Sequence, residues 1–96
     1  MAEAYLTQSP RTAWRVYDGE VVILCPDSST LNTLNAVGTL IWESADGKTP
    51  ASAIVARICE EFDVDPERAQ RDTTDFIAKL SARGLLTVSE TIQQAL

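Results

Sequence analysis

Apolar residues fall in short alternating or continuous blocks up to about residue 34, and at three- and four-residue spacing after it. The chain therefore divides near Asn35 into a strand-forming half and a helix-forming half. Ala13-Trp14-Arg15-Val16-Tyr17 and Glu20-Val21-Val22-Ile23-Leu24 flank Asp18-Gly19, a pair that tolerates the positive φ angles of a tight hairpin turn. The unbroken apolar run Val21 to Leu24 predicts a central strand covered on both faces. Pro26-Asp27-Ser28-Ser29 is a second turn cluster, and Thr30-Leu31-Asn32-Thr33-Leu34 returns as a third strand. The outcome is a three-stranded meander in which the first and third strands are the edges.

Asn35 is a good helix N-cap, and Val37, Leu40, Ile41 and Ser44/Ala45 follow at helical spacing until Asp46-Gly47 ends the helix. Thr49-Pro50 reads as the opening of a second helix, with a capping residue followed by proline at the first helical position. Its apolar stripe is Ala51, Ile54, Val55, Ile58 and Phe62, with Cys59 alongside. Asp65-Pro66 opens a third helix whose stripe is Ala69, Thr73, Phe76, Ile77 and Leu80 and whose stop is Gly84. Leu85 to Val88 then turns back as a short extended segment. The expected fold class is α+β: a three-stranded antiparallel sheet followed by a three-helix bundle, with the outline of a winged helix. Residues 13–88 form the domain, residues 1–12 a polar, loosely held N-terminus, and residues 89–96 a tail.

Composition narrows the function. Ninety-six residues make one domain, and a 45% hydrophobic fraction supplies one core. Fourteen acids against eight bases give a net charge of −6, which disfavours binding to nucleic acid. The third helix repeats that message, because Arg68, Asp72, Asp75, Lys79 and Arg83 share a flank of mixed sign and not a basic face. There is no histidine, which removes the commonest general base and most catalytic zinc sites. Glu60, Glu61, Asp63, Asp65 and Glu67 lack the glycine and the alternate spacing of a calcium loop, so they read as a helix cap and solvated charge. Cys25 and Cys59 form no CxxC pair and read as reduced thiols. Trp14 and Trp42 read as a seal between sheet and helices. No apolar run reaches signal-peptide length or the ~20 residues of a membrane span. A cytoplasmic, non-catalytic binding domain without metal, cofactor or membrane contact is the expectation.

The third strand carries the positive signal. Sheet edges are usually protected by charge, proline or bulges. The first strand obeys, with Pro10, Arg11 and Arg15 in or before it, whereas Thr30 to Leu34 has no charge, proline or glycine. Such an edge is covered by its own chain, paired with a second copy in a homodimer, or open to a peptide that adds as a further strand.

Three segments then show a family pattern: Tyr17-Asp18-Gly19-Glu20-Val21-Val22; Leu34-Asn35 through Gly38 to Ile41-Trp42-Glu43, followed by Asp46-Gly47; and Arg83-Gly84-Leu85-Leu86. With Ile54-Val55, Phe62-Asp63-Val64-Asp65-Pro66, Asp72, Phe76 and Leu80 between them, the chain resembles the PqqD family over residues 13 to 88. The resemblance implies a RiPP recognition element, a winged-helix-like domain that binds the leader of a ribosomally made precursor peptide. It implies strand addition beside the third strand, in a groove against the third helix, and presentation to a separate modifying enzyme, often a radical-SAM protein. Transferred to this chain, the acceptor strand is Thr30, Leu31, Asn32, Thr33 and Leu34. The groove wall is one flank of the third helix: the less charged one, Gln70, Thr74, Ile77 and Ser81 with Ala78 nearby, is assigned to the peptide, and the Arg68/Asp75/Lys79 side is the alternative. Thr73 and Thr74 stand where the family is aliphatic, which implies a shallower, more polar pocket. The pattern is closer to the broad family than to the branch serving pyrroloquinoline quinone synthesis.

Overall fold

The computed structural model describes residues 4–25 and 30–89. In chain order these form β1 (Tyr5–Gln8), β2 (Ala13–Tyr17), β3 (Glu20–Cys25), β4 (Thr30–Thr33), α1 (Ala36–Glu43), β5 (Asp46–Pro50), α2 (Ala51–Phe62), α3 (Pro66–Ala82) and β6 (Leu86–Ser89). The protein is α+β, with two three-stranded antiparallel sheets, β2-β3-β4 and β5-β1-β6, and three helices in mutual contact.

The first sheet is the meander expected from sequence. Tyr17 pairs with Glu20 across Asp18 and Gly19, whose φ angles of 51° and 81° are those of a primed two-residue turn. β3 is central, but it is covered on one face only. Val21 and Ile23 are fully buried, while Leu24 is 41% exposed. Antiparallel sheets commonly keep one face in solvent, so the apolar run conceals an ordinary alternation. The segment 26–29, read as a turn, lies outside the described residues.

The second sheet corrects the sequence reading at three places. Tyr5–Gln8 is not a loose terminus but the middle strand, paired with β5 on one side and β6 on the other. Leu6 is completely buried in the core. A four-residue strand with one large buried aliphatic is too short to show periodicity, and its polar backbone demand is met by neighbours distant in sequence. Asp46-Gly47 ends α1 but does not lead into a loop, because Asp46–Pro50 runs on as β5 with an irregularity opposite Tyr5–Thr7. Thr49 does not cap α2 either. Its N–H and hydroxyl donate to the Asp46 carboxylate (2.9 and 3.2 Å), and Pro50 occupies the N-cap position. The strand and helix order therefore interleaves, and a sheet followed by a bundle is not the arrangement. The extended C-terminal segment is present as β6, whereas residues 90–96 of the expected tail lie outside the described residues.

The two sheets and three helices share one core, centred on Leu6, Ile23, Ile41, Trp42, Ile54 and Leu80. Trp14 meets Trp42 edge-on, with ring centroids 6.2 Å apart, so the pair does seal the sheet against α1. Gln8 locks this junction from β1: its Nε2 donates to the Trp42 carbonyl at 2.8 Å, and its Oε1 accepts from Trp14 Nε1 at 3.0 Å. Cys25 and Cys59 are free. Among the described residues no helix is long and apolar enough to cross a membrane.

Two outcomes follow from the second sheet. Leu6→Ala removes a fully buried side chain from the middle strand and should lower unfolding free energy by roughly 2–4 kcal/mol in denaturant titrations. A loss near zero would show that β1 does not belong to the cooperative unit. The Asp46 carboxyl sits below its ordinary value, first because the Lys48 N–H donates to it and also through the Thr49 donors, against a desolvation effect that raises it. A depressed carboxyl pKa stabilises the fold above its unfolded value, and the benefit disappears as pH falls through the folded value. The stability gap between the native chain and Asp46→Asn should therefore be flat at neutral pH and narrow below about pH 4. Thermal melts across that range read it directly.

Candidate functional site: the groove between the edge strand and the third helix

β4 leaves the sheet at Leu34, and the hydrogen bonds there define what its other edge offers. Leu34 N–H donates to the Val21 carbonyl at 2.8 Å. The reciprocal bond is replaced by a relay: Val21 N–H donates to Thr39 Oγ1 at 2.9 Å, and that hydroxyl reaches the Leu34 carbonyl at 3.5 Å. Thr39 is buried, so α1 itself satisfies the end of the ladder. In an antiparallel ladder, bonded and non-bonded pairs alternate. With the register Val22↔Thr33, Ile23↔Asn32 and Leu24↔Leu31, Asn32 turns its backbone groups toward β3. Leu31 and Thr33 turn theirs outward, and no strand pairs with that edge among the described residues.

Immediately after β4, Asn35 caps α1, accepting the Gly38 N–H at 2.8 Å. Gly38 is placed where a side chain would not fit. A Cβ there would lie 2.9 Å from the Phe76 ring, and 3.3 Å from both the Asn35 side chain and Leu34. The absence of that Cβ lets α3 come close to the end of β4.

Between the two elements lies a concavity of about 850 Å³. Cys25, Leu34, Phe76, Leu80 and Leu85 give it an apolar base, and Asn32, Lys79 and Arg83 lie at its polar side. Arg83 spans it, donating from Nη1 to Asn32 Oδ1 at 2.6 Å. Leu31 remains 66% exposed beside it. Among the described residues no three potential ligands cluster to hold a metal ion.

Thr30, Leu31, Asn32 and Thr33 therefore stand on the open strand as expected, and Leu34 lies just beyond it, buried. The helix flank assigned from sequence lies away from this concavity. Gln70, Thr74 and Ile77 face α2, lining a separate concavity of about 260 Å³ with Ala51 and Val55. Ala78 and Ser81 line neither concavity. The wall opposite β4 is Phe76, Lys79, Leu80 and Arg83. These are spaced i, i+3, i+4, i+7, a stripe that was available in the sequence. Low charge does not mark the flank that faces β4, because charged heads at the lip of a groove stay solvated while their stems pack. Thr73 and Thr74 likewise do not shape the groove. Their hydroxyls donate back along their own helix to Ala69 and Gln70 carbonyls, at 2.7 and 2.9 Å.

The chain belongs to the PqqD family, described as coenzyme PQQ synthesis protein D, whose pattern matches residues 20–86. Among solved structures it is similar to TbiB1, determined in complex with the TbiA(beta) leader peptide. The two share 34% identity and a TM-score of 0.76, over 83% of this chain and 93% of that one. Lasso peptide synthetase B1, complexed with the leader peptide, has the same fold, with a TM-score of 0.72 at 24% identity, covering 90% and 99% of the two chains. No curated protein sequence matches.

The close approach at Gly38 yields a test. Gly38→Ala should give a folded protein destabilised by about 1–2 kcal/mol, with the Phe76 ring displaced into the groove. Ring proton shifts of Phe76 and a denaturant titration report both effects. Unmoved Phe76 signals would show that the contact does not set the groove.

Proposed function

We propose that this protein binds the leader region of a ribosomally synthesised precursor peptide, performs no chemistry on it, and presents it to a separate modifying enzyme. The observation that carries this reading is the edge of β4 that no strand pairs with among the described residues, with the Leu31 and Thr33 backbone groups turned outward beside a groove walled by α3. A peptide laid along that edge gains backbone hydrogen bonds from the strand and side-chain contacts from the groove. Family membership supports the reading, as does the similarity to TbiB1, a protein solved with a leader peptide bound.

Titration of the isotope-labelled protein with the precursor peptide encoded beside its gene should shift amides of Thr30–Leu34 together with Phe76, Leu80 and Arg83. Thr33→Pro is the discriminating variant. The Thr33 N–H faces away from β3, so proline there removes an outward donor and leaves the ladder to β3 intact. Binding should fall below detection while the fold, monitored by circular dichroism, is kept. Undiminished binding to Thr33→Pro would rule out strand addition. A peptide-free dimer that Thr33→Pro dissociates in sedimentation would assign the edge to self-association.

A further inference from the structure

The groove carries charge opposite to that of the protein. The whole chain has a net charge of −6, yet among the described residues the only ionisable side chains on the groove besides the Cys25 thiol are Lys79 and Arg83, and none of its described lining residues is a carboxylate. Among the described residues neither cation has a carboxylate within ion-pair distance. The mixed flank of α3 is neutralised elsewhere, where Arg68 approaches Asp72 at 3.8 Å. Cations in the last turn of a helix are favoured by its dipole wherever they point. That preference accounts for a cation near residue 83 but not for its place across the groove, bonded to a neutral acceptor on the edge strand.

We infer that the groove selects a peptide carrying an acidic side chain, which Arg83 and Lys79 bind together, and that Asn32 holds Arg83 in place until the peptide arrives. This rests on the reading of β4 as a peptide acceptor. Asn32 Oδ1 is a neutral acceptor, and a carboxylate binds guanidinium more strongly and in two-pronged geometry, so it displaces the amide from Arg83. Lys79 and Arg83 are four positions apart, about 6 Å along the helix axis. On an added strand, side chains facing the groove recur every second residue, about 6.7 Å apart. Side chains of the added strand that face the groove meet both the Arg83–Lys79 pair and the apolar base of Phe76, Leu80 and Leu85, which line the same concavity. The recognised segment is therefore extended and combines an acidic residue with large apolar ones.

The probe is the precursor peptide encoded beside the gene, compared with versions in which each Asp or Glu of the bound segment is changed singly to its amide. One of these changes should weaken binding by about tenfold, and the others by little. Arg83→Glu should weaken the native peptide by at least as much, and should recover binding when the critical acid is replaced by lysine. The peptide substitutions leave the protein untouched, so a folding defect in Arg83→Glu cannot imitate the result. If every acid-to-amide peptide binds as the native one does, while Thr33→Pro still abolishes binding, charge selection is overturned and strand addition stands. Binding that is insensitive to Thr33→Pro overturns strand addition and, with it, this inference.

Discussion

The meeting of Gly38 with Phe76 sets the geometry of the groove. At that point the end of β4 (Leu34), the cap of α1 (Asn35) and the middle of α3 (Phe76) come within contact of one backbone position that has no side chain. Each neighbour is tied to a different layer. Leu34 is bonded to β3, Asn35 fixes where α1 begins, and Phe76 belongs to the helix that forms the opposite wall. Any side chain at 38 would separate the strand from the helix, and the space between them is the groove.

The edge of β4 is open, but it is not loose. One side is held by β3, and its exit is held by the Thr39 relay, which satisfies the last ladder groups from within α1. A strand fixed on one side presents its remaining donors and acceptors already aligned. The ordering cost of association then falls on the incoming peptide alone. Backbone polar groups inside a fold are nearly always satisfied, and an edge at the surface can rely on water until a partner arrives. Rigidity and incompleteness are thus compatible here, because β3 and the Thr39 relay hold β4 on one side and at its exit, while no strand pairs with its other edge among the described residues.

Much of this was legible in the sequence, and the failures share a cause. Asp18-Gly19 specified its turn through local conformational preference, and Pro66 and Gly84 marked the ends of α3 by the same means. The absence of charge in Thr30–Leu34 pointed to the open edge because edge protection is a property of single strands. β1 and β5 were missed because their pairing is non-local. Tyr5–Gln8 and Asp46–Pro50 have weak patterns of their own and become strands by completing each other and β6. The flank of α3 favoured for its low charge does not line the groove beside β4. Which face of a helix meets a strand depends on the approach of a third element, and here that element is α1 at Gly38. The glycine was visible within its motif, but its partner Phe76, 38 positions further on, was not.

Charge acts at two ranges in this molecule, and the two oppose each other. At long range a net charge of −6 repels an acidic peptide. At contact range Lys79 and Arg83 attract one. The Debye length is about 8 Å at physiological ionic strength, so carboxylates on distant surfaces are largely screened, while a pair formed in a groove is screened much less. An acidic residue is therefore disfavoured over most of the surface and favoured beside Arg83. The global charge does not weaken the local site but sharpens it: peptides with scattered negative charge gain nothing from the groove, and only a carboxylate in register with the edge strand reaches the two cations.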